Sequence, residues 1–321
     1  MAVKISDVAK SAGVGIGTVS RVLNGGSVNQ KTKETVMRVI AELGYKPNSM
    51  AKRLREQRNN TIALMVPVLY HPFFSKLADC VEREADKFGY SMLLVASQRH
   101  VEKEKNIIER IEKREVDGAI FVTHFDHDPE EFEGLPLVSI DRHLADGIPY
   151  VTSDNYEATK NGVEYLLQRG CKRVGFIGTK PIVESEVMYR EKAYRDVMRS
   201  HGMEEIAVNE VIGHGDEEML VKKFLDMYGD VDGVFASGYS IAQAFYAMSA
   251  SVGKKFPDDC QLVSYDGVFD IWGGAMTCIQ QPIEAMSASA VKLLIDKIEG
   301  RETPVRTVHN GTFVVGATTK Q

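Results

Sequence analysis

Residues 16–24 read Ile-Gly-Thr-Val-Ser-Arg-Val-Leu-Asn, and helical spacing sorts them onto two faces. Val19, Val22 and Leu23 share one face, while Ile16, Gly17, Ser20, Arg21 and Asn24 share the other. The second face is small, polar and basic, which suits a helix laid in the DNA major groove. A first helix is predicted just upstream. Ser6 can cap it with its hydroxyl, and Asp7 sits where the helix dipole favours a carboxylate. Val8, Ala9 and Ala12 face one way, and Gly13 stops the helix by adopting positive φ. On local pattern alone, a helical hairpin without a ligand fits these residues as well.

The charge distribution favours the DNA reading. Residues 1–60 hold eleven Lys and Arg against four Asp and Glu, a net of +7, whereas the whole chain carries −6. A basic head on an acidic body concentrates phosphate attraction at one end, and binding through it should weaken steeply with salt. The 321 residues suit two or three domains. No apolar run reaches transmembrane length and no signal-peptide h-region opens the chain, so a cytoplasmic protein with no membrane partner is expected. Cys80, Cys171, Cys260 and Cys278 form no CxxC pair and read as reduced, buried thiols.

The elements that must position this chemistry follow from periodicity. Asn29 can cap a third helix with Thr32, Val36, Val39, Ile40 and Leu43 on its inner face, ended by Gly44-Tyr45-Lys46-Pro47. Residues 48–55 form a short basic segment capped by Asn48, too short to be a stable helix alone. Gln57–Asn60 reads as a linker. From Thr61 onward strands and helices alternate, the signature of a parallel sheet covered by helices. A second such series begins near residue 155. Helices are expected over Glu184–Gly202 and Ser240–Gly253, and a last strand over Val305–Val315. Val116-Asp117-Gly118-Ala119-Ile120-Phe121 is echoed by Val231-Asp232-Gly233-Val234-Phe235-Ala236, which supports two lobes of like topology. Ligands of such sheets sit beyond the C-terminal strand ends, so two facing lobes would hold one in a cleft.

The motifs Asp7-Val8-Ala9, Ala12-Gly13-Val14, Thr18 to Asn24 and Leu43-Gly44-Tyr45 resemble the lactose-repressor (LacI/GalR) family. Ile140-Asp141-Arg142, Ser153-Asp154-Asn155, Tyr189-Arg190, Tyr265-Asp266-Gly267 and Gln281-Pro282 follow in the family's order. The resemblance implies an N-terminal all-α helix-turn-helix head over 1–47 and a hinge segment and linker over 48–60. An α/β core of two Rossmann-like lobes of the periplasmic-binding-protein type I kind would follow. The first lobe would take 61–155 plus about 283–306, and the second 156–282 plus about 307–321. It implies a homodimeric, sequence-specific regulator on pseudo-palindromic operator DNA.

By resemblance, DNA contacts fall to Ser6, Ile16, Gly17, Thr18, Ser20, Arg21, Asn24, Asn29 and Thr32, and to Asn48, Ala51, Lys52 and Leu54 beyond the head. Leu54 would wedge into the minor groove, where an apolar side chain opens a base step. The family usually has Ser or Thr where Gly15 stands. Ile16 offers only apolar contact and Gly17 no side chain, so specificity should lean on Arg21, Asn24 and DNA shape.

The resemblance also places effector contacts at Phe73, Phe74, Thr123, His124, Asp141, Arg142, Arg190, Ser237, Tyr239 and Asp266. Aromatic faces stack on sugar C–H faces, and carboxylates and guanidinium groups grip vicinal hydroxyls in pairs. Ser237-Gly238-Tyr239 stands where the family commonly has Asn-Asp, and Gly273 to Met276 also departs from its pattern. Trp272 lines the cleft or simply packs. His124 to Asp128 lacks sound metal-ligand geometry, and no metal or cofactor is expected. No Gly-rich phosphate loop follows the first strand and no Gly-x-Ser-x-Gly elbow appears, so an enzyme is not expected. The reading is a carbohydrate-operon repressor with a sugar or sugar phosphate effector. A purine or a phosphocarrier protein is the alternative within the class, and a sugar-binding protein without a DNA role is the rival outside it.

Overall fold

The computed structural model describes residues 3–23, 26–45, 58–98, 100–213, 215–267 and 276–321. The chain divides into two compact units, Met1–Arg58 and Asn59–Gln321. In the first, α1 (Ile5–Ala12), α2 (Ile16–Leu23) and α3 (Gln30–Leu43) close around Val8, Ala9, Val19, Val22, Val36, Val39 and Tyr45. All but Tyr45 are positions that the periodicity assigned inward; Ala12, Leu23, Ile40 and Leu43, also assigned there, pack partly buried against them. The capping of α1 differs from expectation. The helix starts at Ile5, and the Lys4 N–H donates to Asp7 Oδ2 at 2.8 Å. Ser6 therefore lies inside the first turn and is not the cap, because Lys4 holds the N-cap position. Gly13 and Gly44 end α1 and α3 at φ +66° and +62°, and Asn29 Oδ1 accepts the Lys31 N–H at 2.9 Å to open α3.

The second unit holds two sheets. The strands of the first are β1 (Thr61–Val66), β2 (Ser91–Ala96), β3 (Gly118–Phe121), β4 (Leu137–Ile140), β5 (Tyr150–Ser153) and β11 (Arg306–His309). Those of the second are β6 (Val174–Thr179), β7 (Ile206–Glu210), β8 (Gly233–Ala236), β9 (Gln261–Tyr265), β10 (Thr277–Gln280) and β12 (Thr312–Val314). The orders are β11-β5-β4-β3-β1-β2 and β12-β10-β9-β8-β6-β7, the same pattern twice. Every pairing is parallel except β10 with β12. Helices α4 (Pro72–Lys87), α5 (Val101–Glu112) and α10 (Ile283–Ile298) cover the first sheet. Helices α6 (Asn155–Gln168), α7 (Met188–Ser200), α8 (Glu217–Tyr228) and α9 (Tyr239–Ser251) cover the second.

Because both faces of each sheet are covered, inner strands are apolar throughout rather than alternating. Ile62, Leu64 and Val66 of β1 join the layer under α4 and α10, while Ala63 and Met65 join the layer under α5. The Asp-Gly echo has a structural cause. Asp117 accepts the N–H groups of Asn59 (2.9 Å) and Thr61 (3.2 Å), pinning the start of β1. Asp232 accepts those of Lys172 and Arg173, both at 2.8 Å, just ahead of β6. A Cβ on Gly118 would lie 2.7 Å from the Pro136 carbonyl oxygen, and one on Gly233 2.8 Å from Cys171 Sγ, so neither position admits a side chain.

Two expected elements change. The single strand over Val305–Val315 is two strands in different sheets, broken at Asn310-Gly311. The first-lobe segment therefore runs through His309, three residues past the expected boundary at 306. The helix expected from Glu184 starts at Met188, because residues 180–187 form a loop whose side chains serve elsewhere. The chain thus crosses between lobes at 153–155, 281–282 and 310–311. All four cysteines are buried and unpaired with one another. Among the described residues no helix is long and apolar enough to cross a membrane.

Asp232→Ala removes an acceptor for two backbone N–H groups. It should destabilise the chain by about 1–3 kcal/mol in urea unfolding; an unchanged midpoint would show that the carboxylate is idle.

Candidate nucleic-acid interface and ligand cleft

Helix α2 presents Ile16, 52% exposed, beside exposed Gly17 and Arg21. Thr18 and Ser20 are half-buried on its flanks, Ser6 is exposed on α1, and Thr32 is half-buried on α3. Asn29 is exposed, with its Oδ1 engaged in capping. The outer face of α2 is therefore solvent-facing and carries one guanidinium and one large apolar side chain. Asn24, Asn48, Ala51, Lys52, Leu54 and Trp272 lie outside the described residues.

Between the lobes lies a cavity of about 230 Å³. It gathers Phe73, Phe74, Thr123, His124, Asp141 and Arg142 from the first lobe and Arg190, Ser237 and Asp266 from the second. Tyr239 is not among them. Gly238 caps α9, and Tyr239 lines an adjoining hollow with Tyr246 and Phe256 that shares Glu217, Ser240 and Asp266 with the cleft.

Most cleft residues follow a strand end, while Arg190 comes from α7. Phe73 and Phe74 open α4, whose N-cap is His71. The His71 Nδ1 accepts the Phe73 N–H at 3.3 Å. Burial lowers the pKa of His71, against the pull of Asp266 and Glu217, which suits a neutral ring that must accept there. The two phenyl rings meet edge to face at 5.4 Å.

Asp141 and Asp266 follow β4 and β9, which hold the same place in their sheets. Both adopt left-handed backbone conformations, φ +60° and +68°. Aspartate tolerates this better than most side chains. Their N–H groups donate to Val151 and Ile279 carbonyls at 2.9 and 3.1 Å, at matching points of β5 and β10. One oxygen of each carboxylate is already engaged. Thr152 Oγ1 donates to Asp141 Oδ1 at 2.7 Å, and Gln281 Nε2 donates to Asp266 Oδ1. Burial pushes the Asp141 carboxyl up, with the Asp266 and Glu186 charges adding to it. The Thr152 bond and the Arg190 charge pull it back.

Arg190, 4% exposed, brings its charge to bear on both. Its Nε donates to Asn155 Oδ1 at 2.6 Å and its Nη1 to the Ser237 carbonyl at 2.7 Å. Its guanidinium sits 3.5 Å from the Tyr265 ring centroid, and Nη1 is 4.0 Å from Asp266 Oδ2. Arg142 is differently used. It donates to the Phe125 carbonyl and, at 3.0 Å, to Asp126 Oδ1, so it ties down the loop after β3.

Several lining residues were not anticipated: His71, Lys180, Glu217, Ser240 and Gln281. Behind Thr123 lies a further surprise. Thr123 Oγ1 donates to Glu104 Oε2 at 2.6 Å, and His127 Nε2 meets the same oxygen at 2.7 Å. His127 Nδ1 is 3.1 Å from Glu131 Oε2. His127 is thus hydrogen-bonded between two carboxylates. Among the described residues no cluster with metal-holding geometry occurs. A signal for Glu104 existed, because it lies on the apolar stripe of α5 with Ile107, Ile108 and Ile111. A charge on such a stripe must be paired.

Two family profiles match the chain. One, "Bacterial regulatory proteins, lacI family", covers residues 4–48. The other, "Periplasmic binding proteins and sugar binding domain of LacI family", covers residues 59–314. The chain is 33% identical over 300 residues to the ribose operon repressor of Halalkalibacterium halodurans, covering 92% of this chain and 90% of that protein. It is 31% identical over 312 residues to the sucrose operon repressor of Streptococcus mutans, covering 95% of each. Among solved structures it is similar to a transcriptional regulator CelR–cellobiose complex, with a TM-score of 0.72 and 29% identity over 98% of this chain and 99% of that one.

Burial works to lower the pKa of His127, but its bonds to Glu104 and Glu131 outweigh that and hold it above the ordinary 6.5. A raised folded pKa stabilises most below the unfolded value, and the benefit fades as pH rises through the folded value. The stability advantage of the wild type over His127→Gln should therefore be largest below about pH 6.5 and shrink at higher pH. Urea unfolding between pH 5.5 and 8.5 checks this; a flat difference would show that the imidazole is not charged by its partners.

Proposed function

Because the chain belongs to the LacI family of bacterial regulatory proteins, we propose that it represses a carbohydrate-utilisation operon in answer to a sugar held in this cleft. Such a regulator is not an enzyme, and its work on operator DNA places it in the cytoplasm. The observation that carries the effector reading is Arg190, stacked on Tyr265 with its charge bearing on the paired carboxylates Asp141 and Asp266.

Each carboxylate keeps an oxygen for a ligand hydroxyl, and the charged groups suit vicinal diols. Phe73 and Phe74 offer flat apolar faces for the C–H side of a sugar ring. A cavity of about 230 Å³ admits a small ligand such as a monosaccharide. Charge narrows the class further. A phosphate set beside Asp141 and Asp266 would be repelled, Arg142 is committed to Phe125 and Asp126, and Lys180 is the lining cation that a phosphate would have to reach instead. A neutral monosaccharide is therefore the effector we infer, with D-ribose the first probe.

The head reads DNA through α2, with Arg21 as its charged contact and Ile16 as an apolar one. Leu54 acts in the minor groove, together with Asn48, Ala51 and Lys52, on the strength of the family resemblance. A homodimer presents two such heads to the two half-sites of a near-palindromic operator.

Two experiments test the reading. In a thermal-shift panel of monosaccharides, sugar phosphates, disaccharides and purines, a neutral monosaccharide should raise the melting temperature. A ligand at a hundredfold its Kd adds about 2.7 kcal/mol of stability by mass action. Arg190→Met should abolish that shift, and a response to purines or sugar phosphates alone would overturn the assignment. In a randomised-operator selection, the base positions facing Ile16 and Gly17 should return low information and those facing Arg21 high information. Sharp readout at the former would refute the Arg21-centred account.

A further inference from the structure

The loop 180–187, which replaces the expected first turn of α7, lines the cleft with Lys180, Ile182 and Val187. It belongs to the second lobe, since it leaves β6 and enters α7. Glu186 of this loop nevertheless spends its side chain on the first lobe. Its Oε1 accepts from Tyr150 OH at 2.9 Å and from Arg306 Nε at 3.0 Å, and its Oε2 accepts from Arg306 Nη2 at 3.0 Å. This is a forked, two-bond ion pair with a phenol added. Tyr150 and Arg306 stand opposite one another in the parallel register of β5 and β11, so together they form one receptor for the carboxylate. The Glu186 side chain is 12% exposed and that of Arg306 48%.

The backbone of the same residue makes a second bond between lobes. The Glu186 N–H donates to the Asp141 carbonyl at 2.9 Å. The clasp is thus one peptide group away from a carboxylate that faces the cleft. It also stands off from the crossing point. Tyr150 lies three residues before Ser153, about 10 Å along an extended strand, so a change in the angle between lobes must stretch it.

We propose that Glu186 is a positioning residue: its pairing with Arg306 and Tyr150 holds the lobes at the closed angle and thereby sets effector affinity. This rests on the reading of the cleft as the effector site. An ion pair within one lobe would add a little stability and nothing more. A pair that spans the lobes and touches Asp141 shifts the closed population, and apparent affinity scales with that population. Tyr150, pushed up to about 12 by burial and by the Glu186 carboxylate, stays a phenol donor throughout the working range of pH.

The test uses the full chain carrying spin labels at Glu112→Cys on α5 and Met227→Cys on α8, both exposed, against buried native cysteines. Pulsed-EPR distances are measured without sugar. Glu186→Gln and Arg306→Met should each broaden and lengthen the distribution between lobes, and Arg306→Lys, which keeps charge but loses the fork, should fall between. Tyr150→Phe, which removes a single hydroxyl, serves as the mild variant should the others fold poorly. It should broaden the distribution slightly. Distributions that match the wild type in all four would overturn the proposal. With D-ribose as probe, Glu186→Gln should weaken binding about fivefold. An unchanged Kd beside a broadened distribution would overturn the link to affinity. If D-ribose leaves the wild type unbound, the effector assignment fails there, while the sugar-free distances still decide the clasp.

Discussion

A guanidinium that is 4% exposed must find its acceptors and counter-charge inside the protein, and Arg190 organises the cleft around that need. Burying an ion costs several kcal/mol unless its donors are met and opposite charge lies near. Asn155, Ser237, Tyr265 and Asp266 answer that demand from three places in the chain. Asn155 stands at the first crossing between lobes, Ser237 follows β8, and Tyr265 and Asp266 end β9. One side chain from α7 therefore ties a crossing strand and two strand ends to one another. The same bonds leave the paired carboxylates as the cleft's fixed acceptors. Their spare oxygens define what chemistry a ligand must bring.

That pairing of carboxylates follows from a repeated lobe. Asp141 and Asp266 hold the same strand position, the same left-handed conformation and the same backbone bond to the neighbouring strand. Facing the two lobes brings these equivalent residues together across one cavity. Asp117 and Asp232 show the same duplication at the opposite ends of the strands, where their carboxylates pin the starts of β1 and β6. Repetition has thus given one aspartate pair a structural task and the other a recognition task. The difference lies in which end of the sheet they occupy. Starts of strands face solvent and need capping, whereas C-terminal ends face the partner lobe.

How much of this was legible in the residues depended on whether a property was local. Helix faces, the glycine stops, the Asn29 cap and the alternation of strands and helices follow from patterns within a few residues, and they are where periodicity placed them. Ser6 was misjudged because the helix starts two residues earlier than a Ser6 cap implies, with Lys4 at the N-cap and the Lys4 N–H held by Asp7. Tyr239 lines the adjoining hollow rather than the cleft itself, a matter of one residue of rotation about α9. The stretch Val305–Val315 looked like one strand because apolar spacing cannot show that a chain changes sheets partway. Glu186 carried no local signal at all: its partners are 36 and 120 residues away.

The fold and its response draw on different forces. The apolar layers lie within lobes: Leu64, Val66 and Leu294 in one, Phe224, Phe245 and Leu262 in the other. Among the described residues, hydrogen bonds and an ion pair join the lobes. Ser153 Oγ meets Tyr265 OH at 3.0 Å and Gln281 Oε1 at 2.8 Å, and Glu186 reaches Arg306 and Tyr150. Apolar burial, at about 25 cal/mol per Å², is lost outright when a core is opened. Hydrogen bonds and half-exposed ion pairs are traded for water at a net cost of about 1 kcal/mol each. Three neighbouring crossings let the angle between lobes change without opening either core. The free energy at stake in that change is then a few exchangeable polar contacts. A coupling of about 1–3 kcal/mol between two ligands is of that same size, so a few sugar hydroxyls suffice to shift the balance.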